Sequence, residues 1–300
     1  MIKTPTVLIL GAGASMPYYF PSGEELFYAI YNNLKNGPNK RALLISLGFP
    51  EDLTWGFINS LFASGKSSVD EFLEHRPEFL DVGKAAIALE LIKYENEDHL
   101  FGEEIQNQNW YKYLFGALNT SFEEFGENKI SIITYNYDRS LEHFLITALQ
   151  KSYGKTEIEC AAELQKIPII HLHGKLGRLP WQGSNSRKYD PDIKPEMVEV
   201  AYKSIKIIYE GIHDDIDFKH AHEILQKAKY IYFLGFGYNK TNLGRLNINS
   251  WSGPAIFGSS KGLTTLQRKG ISAFFGERNF NICDVGYDVI NFLKNIVVFR

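Results

Sequence analysis

Val7-Leu8-Ile9-Leu10-Gly11-Ala12-Gly13-Ala14-Ser15 decides the fold. Apolar residues running into a glycine turn read as a strand that ends at a ligand-binding loop. Gly11 and Gly13 stand where a backbone turns tightly and can approach phosphate oxygens with no Cβ in the way. Pro21-Ser22-Gly23-Glu24-Glu25-Leu26 then starts a helix, with Ser22 as its cap and Glu25 completing a capping box. Strand, turn, loop and helix open an α/β fold. The expected architecture is a Rossmann-like parallel sheet flanked by helices, with a helical insertion forming a smaller lobe.

Two later apolar runs end in the same way. Ile130-Ser131-Ile132-Ile133 leads into Thr134-Tyr135-Asn136-Tyr137-Asp138, and Ile167-Pro168-Ile169-Ile170 leads into His171-Leu172-His173-Gly174. Ligands of open α/β sheets bind beyond the carboxyl ends of the strands. A glycine turn, an Asn/Asp pair and a histidine therefore converge on one site, a dinucleotide pocket with a base beside it. Between the first two motifs, residues 36–125 change character. Leu43, Leu44, Leu47, Phe57, Leu61, Phe72 and Leu73 recur at helical spacing, and Ala85–Ile92 is a strong helix former, so this stretch reads as an insertion of several helices. The Rossmann core is expected over about 1–35 and 126–300. Its further elements are a helix through Ser140–Ser152, a polar loop at Gly183–Pro195, an apolar run at Ile205–Tyr209 and a helix through Phe218–Lys229. Strands at Tyr230–Leu234 and Ala255–Ser259 follow, and a capped final helix runs from Cys283-Asp284-Val285 onward.

Composition excludes several classes. The 300 residues carry 32 basic and 35 acidic side chains for a net charge of −3, with no basic run, so nucleic-acid binding is not indicated. Two cysteines, Cys160 and Cys283, cannot build a disulfide scaffold or a four-cysteine zinc site, and no metal is expected. Met1-Ile2-Lys3-Thr4-Pro5 enters the first strand without the layout of a signal peptide, and no apolar run reaches the ~20 residues that span a bilayer. A cytoplasmic protein without membrane attachment is the expectation.

Each motif also has a plain structural reading. The glycine turn lacks the third glycine of G-x-G-x-x-G, because Met16 stands there, and no strand-terminal acid follows at the distance that holds a ribose. A tight strand-to-helix turn without ligand would look the same. Thr134, Asn136 and Asp138 alternate with Tyr135 and Tyr137 as at a strand end; Asp138 could simply cap the helix that begins at Arg139. His171 and His173 fall on one face of a strand ended by Gly174; histidines there are often packed or capping residues, and a metal pair lacks a third ligand. His220 and His222, two apart on a helix, point away from each other.

Taken together, GAGAS followed by Phe20-Pro21-Ser22-Gly23, then TYNYD, then HLHG, then an apolar strand into Gly235, resembles the sirtuin superfamily over almost the whole chain. The resemblance implies that NAD is bound by Gly11, Ala12, Gly13 and Ser15. It implies further that Asn136 and Asp138 line the nicotinamide side and that His173 is the general base. Gly235 and Gly237 resemble the phosphate and ribose turn, and Ser259 and Cys283 the ribose and adenine positions. Protein-deacylating sirtuins carry a four-cysteine zinc module, and this chain cannot build one. Their Phe-Gly-Glu segment follows the HG motif closely, whereas Phe275-Gly276-Glu277 lies downstream of Gly235. The arginine of their cofactor loop is absent, with Tyr18, Tyr19 and Phe20 nearby instead. What remains resembles the sirtuin-like NAD hydrolases of bacterial antiviral defence, as do Ser68-Val69-Asp70-Glu71-Phe72-Leu73 and Gly83-Lys84-Ala85-Ala86-Ile87-Ala88. That branch implies cleavage of NAD, as substrate, to ADP-ribose and nicotinamide. A homo-oligomer is expected, with room for a separate partner protein that activates or scaffolds it. A deacylase or ADP-ribosyltransferase, a non-catalytic NAD or ADP-ribose sensor, and a Rossmann oxidoreductase are the competing readings.

Overall fold

The computed structural model describes residues 1–207, 215–251, 253–276, 280–283 and 286–300. Its centre is a six-stranded sheet of β1 (Thr6–Leu10), β2 (Ile130–Thr134), β3 (Ile169–His171), β4 (Tyr230–Leu234), β5 (Ala255–Gly258) and β6 (Phe280–Ile282). All pairings are parallel, in the order β3-β2-β1-β4-β5-β6. Strand β1 is central: Leu10 stands level with Thr134 of β2 and Leu234 of β4, so three strands end on one line. The chain is thus an α/β protein of Rossmann type, as its first βα unit suggests.

Side-chain alternation along β1 divides the core. Leu8 and Leu10 join a large apolar cluster on one face of the sheet, and Val7 and Ile9 a smaller one on the other. Each such side chain, fully buried, contributes about 1.5–3 kcal/mol.

Helix α1 (Gly23–Asn36) begins at the expected capping box: Ser22 Oγ accepts from Glu25 N, and Glu25 Oε2 from Ser22 N. The stretch after it is helical throughout, with α2 (Pro38–Ser46), α3 (Glu51–Ala63), α4 (Val69–Leu73), α5 (Leu80–Leu91), α6 (Asp98–Phe101), α7 (Trp110–Ala117) and short 3-10 turns between. Helix α5 is buried along almost its whole length, from Val82 to Leu91, which fits an alanine-rich sequence apolar on every side. Its neighbours are α1, α2, α3, α4 and, from the far side of the chain, α10 (Pro195–Ser204). Phe57, Phe72, Ile87 and Trp110 belong to the same cluster as Leu8 and Leu10, so these helices share one continuous core with that sheet face.

The remaining helices are α8 (Ser140–Tyr153), α9 (Glu157–Leu164), α11 (Ile216–Lys227), α12 (Lys240–Arg245), α13 (Thr265–Phe275) and α14 (Val289–Asn295). Several expectations need correction. Strand β3 starts only at Ile169, because Pro168 has no N–H for a ladder; its carbonyl still accepts from Ile132 N at 2.8 Å. The apolar run at 205–209 makes one antiparallel bridge, from Ile205 to Gly174, and residues 208 and 209 lie outside the described residues. The last helix starts at Val289, capped by Asp288, and not near Cys283; residues 284 and 285 lie outside the described residues. Among the described residues, no helix is long and apolar enough to cross a membrane.

Where β1 and β4 end, two backbones touch. A Cβ on Gly235 would lie 2.1 Å from Ala14 N and 2.2 Å from Gly13 C, and Gly235 has φ +57°. Gly235→Ala should therefore cost about 2–5 kcal/mol, combining left-handed strain with overpacking. Gly48→Ala, at φ +95° with nothing within 4 Å, should cost only about 1 kcal/mol. Thermal melts of the two variants check this, and equal losses would contradict it.

Candidate functional site

The strand order reverses direction between β1 and β4, and ligands of doubly wound sheets bind outside the strand ends at such a point. The glycine turn sits there. Gly11 N donates to Leu234 O at 3.1 Å and Gly13 N to Gly235 O at 2.9 Å, which locks the turn onto β4. Gly235 N in turn donates to Ser259 Oγ at 2.8 Å, tying in the end of β5. Beyond these strand ends opens a cavity of about 510 Å³ whose walls include Gly13, Gly235, Gly237, Ser259, Lys261 and Gln108. Its volume falls in the range of small-molecule sites.

On the other side of the turn lies a cavity of about 100 Å³, lined by Ala12, Ser15, Phe20, Asp70, Asn136 and Asp138 among others. Its polar wall is one hydrogen-bonded chain. Asn136 Nδ2 donates to Ser15 Oγ and to Gly11 O, both at 2.9 Å, and Ser15 Oγ donates to Asp138 Oδ2 at 2.6 Å. Asp138 Oδ1 accepts from Ser140 N at 3.2 Å and from Ser140 Oγ. Tyr111 OH closes the chain on Ser140 Oγ at 2.7 Å. Asp138 thus holds Ser140, the first residue of α8, and also fixes Ser15. Burial pushes its carboxyl above the ordinary carboxylate value, against the hydrogen bonds from Ser140 and Ser15. Both amide protons of Asn136 are engaged, so Oδ1 is its free acceptor, and no donor among the described residues reaches it.

His171 and His173 do not share a strand face. Strand β3 ends at His171, and the chain turns through Leu172 to Gly174, where φ is +65°. His171 therefore reaches α8, while His173 turns toward α4. His173 Nδ1 lies 3.3 Å from Asp70 Oδ1, an oxygen that also accepts from Tyr137 OH. The ring stands edge-on to Tyr135 at 5.4 Å between centroids and tilted to Tyr137 at 6.0 Å. Burial alone would raise the Asp70 carboxyl, but His173 and the Tyr137 hydroxyl outweigh it, and the group sits below its ordinary value. A carboxylate on Nδ1 fixes the proton there and leaves the Nε2 lone pair as the basic atom. Nε2 is buried and, among the described residues, has no partner.

The geometry thus joins Gly11, Ser15, Asn136 and Asp138 in one hydrogen-bonded unit. His173 belongs to a second unit, with Asp70 and Tyr137, beside it. Gly13, Gly235, Gly237 and Ser259 line the larger cavity, and Ala12 the smaller. Gly11 is spent on packing, since a Cβ there would meet Gly235 O at 2.7 Å. Cys283 is buried outside the cavity wall, its backbone bonded to Gly258 and Ser260. Among the described residues, no group of three or more His, Cys, Asp and Glu side chains could hold a metal ion.

Two features escape sequence reasoning. Asp70 appears in the sequence only within the segment 68–73, with no role of its own, and its reach to His173 is purely tertiary. Arg139, wholly buried, bonds Glu95 and the carbonyls of Arg178, Arg187 and Lys188, while Arg187 bonds Glu95 as well. This buried trio ties the residue after Asp138 to the helical stretch and to the loop beyond Gly174. Neither a family model nor a curated protein matches the chain.

The Asp70 environment has a pH signature. A carboxyl lowered on folding adds stability that is full above its unfolded value, near ~3.9, and is lost as pH falls through the folded value. Asp70→Asn should therefore melt lower than the unmodified chain at neutral pH, with the gap closing below about pH 4. A gap that stays constant across a pH series of melts would contradict this.

Proposed function

We propose that the protein is a sirtuin-like NAD⁺ hydrolase that cleaves the nicotinamide–ribose bond to give ADP-ribose and nicotinamide. One observation carries the reading. A carboxamide oxygen is held open on Asn136 beside the glycine turn at the reversal of strand order, and an unpartnered Nε2 stands on His173, whose ring packs against the adjoining Tyr135 and Tyr137. In this reading the adenosine diphosphate part occupies the larger cavity, over Gly13 and Gly235, and the nicotinamide riboside end points toward Asn136.

The chemistry follows from the leaving group. Cationic nicotinamide departs neutral, so acid catalysis is hardly needed, and positive charge builds on the ribose as in glycoside cleavage. Asn136 Oδ1 can accept from a ribose hydroxyl or a water and turns its negative dipole end toward that charge. His173 Nε2 accepts the proton released when water attacks the anomeric carbon. Asp138, with both oxygens already bonded, orders Ser15 and Asn136 and is less suited to hold the carboxamide. Asp70 keeps His173 in the tautomer that a base needs. The resemblance of segments 68–73 and 83–88 to the defence branch further supports an NAD-depleting role in antiphage defence. In that role the chain would be a cytoplasmic homo-oligomer with a possible activating partner.

Incubation with NAD and chromatography of the products tests this. ADP-ribose and nicotinamide are expected without any acylated peptide. His173→Ala and Asn136→Ala should each lower turnover by about 10²–10⁴-fold, and a cooperative melt of each variant separates that loss from unfolding. Product formation that requires an acylated peptide, or wild-type rates in either variant, would contradict the assignment.

A further inference from the structure

His171 has no part in the chemistry above, yet it is only 7% exposed and is bonded through both ring nitrogens. Nδ1 lies 2.9 Å from the main-chain oxygen of Asn136, and Nε2 lies 2.9 Å from Glu142 Oε1. A carbonyl oxygen has no proton to give. Glu142 has none either, because it is the carboxylate of an ion pair with Lys175. Lys175 Nζ donates to the same Glu142 oxygen at 3.0 Å and to Gln182 Oε1 at 2.9 Å. Acceptors on both ring nitrogens require a proton on each.

We infer that His171 is held as an imidazolium and acts as a positioning residue, clamping the Asn136 carbonyl and thereby fixing the free Asn136 Oδ1. The inference rests on the role proposed for Asn136 in NAD cleavage. The two histidines of the HLHG motif then have opposite tasks. His173 has one nitrogen bonded to a carboxylate and the other without a partner among the described residues, as a base requires. His171 has both nitrogens closed, as a fixed donor requires.

The charges around the ring give its protonation a definite sign. Glu142 of α8 touches it, and Asp138 of the loop after β2 also feels it. Lys175 shares Glu142 with it. Outside β3, Arg178, Lys206, Asp217 and His220 line a cleft of about 670 Å³ whose wall includes His171 and Glu142. Lys206 there is already paired with Asp215 and Asp217. Glu142 is thus the carboxylate in contact that favours the second proton. Removing it should favour the neutral ring, and removing Lys175, which competes for it, should favour the cation.

Histidine ring ¹⁵N spectra, assigned with His171→Gln, test the protonation directly, alongside kcat for NAD cleavage against pH. Two protonated nitrogens are expected for His171 at neutral pH, with the Asn136 carboxamide signal moving in step when the second proton leaves. The alkaline limb of kcat should fall at lower pH in Glu142→Gln, by about one unit or more, and at higher pH in Lys175→Met. KM should change little in either. A singly protonated His171 at neutral pH, an Asn136 signal indifferent to its titration, or limbs that do not separate in opposite directions would overturn the inference. Absence of NAD cleavage in the unmodified chain would count instead against the proposed function, and the ring and carboxamide signals would still decide the protonation and the clamp.

Discussion

The edge of the sheet where chemistry could occur depends on one backbone contact, Gly13 against Gly235. Strands β1 and β4 are neighbours, and past their ends the chain must leave in opposite directions. Only residues without a Cβ can cross so closely; the same contact supplies the Gly13 N to Gly235 O hydrogen bond that fixes the turn. Once the turn is fixed, Ser15 is in place to bond Asn136 and Asp138, and the ends of β1 and β2 become one rigid polar surface. Ser259 extends that surface to β5 through Gly235 N.

A second constraint holds the helical stretch to this surface. Arg139 and Arg187 share Glu95, and all three are buried in the protein interior. Removing one partner of such a group typically costs about 3–5 kcal/mol, because the other charges are left uncompensated. The stretch bearing Glu95 also carries Asp70, so the same packing that buries the charges delivers a carboxylate to His173. Helix α5 makes this possible: a Cβ at Gly83 would meet Leu73 Cδ2 at 2.5 Å, so α4 lies close against it. Packing of apolar helices thus sets the position of the carboxylate that meets His173.

What was legible in the sequence was what local chemistry determines. Strands β1, β2 and β4 are apolar runs that end in polar or glycine turns, and they stand within a residue of where such runs predict them. The Ser22 and Glu25 box starts α1 because both partners lie within one turn. Helix α9 starts at an equally local box in Thr156 and Glu159, a signal the sequence carries in the same form. Strand β6 is only three residues long, too short for a periodic pattern to register. Asp70, Glu95 and Arg187 were not legible for a different reason: each acts across 44 residues or more of chain, from Glu95 to Arg139 at the shortest. Spacing within a segment holds no trace of such pairings. The divergence of His171 from His173 belongs to the same class, because the turn at Gly174 is set by its contact with Ile205.

In the proposed function NAD lies across the turn with its scissile bond between Asn136 and His173. A crystal structure with a non-hydrolysable NAD analogue tests it most directly. The expected complex has the diphosphate over Gly13 and Gly235, a ribose hydroxyl or water bonded to Asn136 Oδ1, and His173 Nε2 within hydrogen-bond reach of the anomeric face. An analogue bound with its riboside end away from Asn136, or His173 Nε2 still without a partner in the complex, would contradict it.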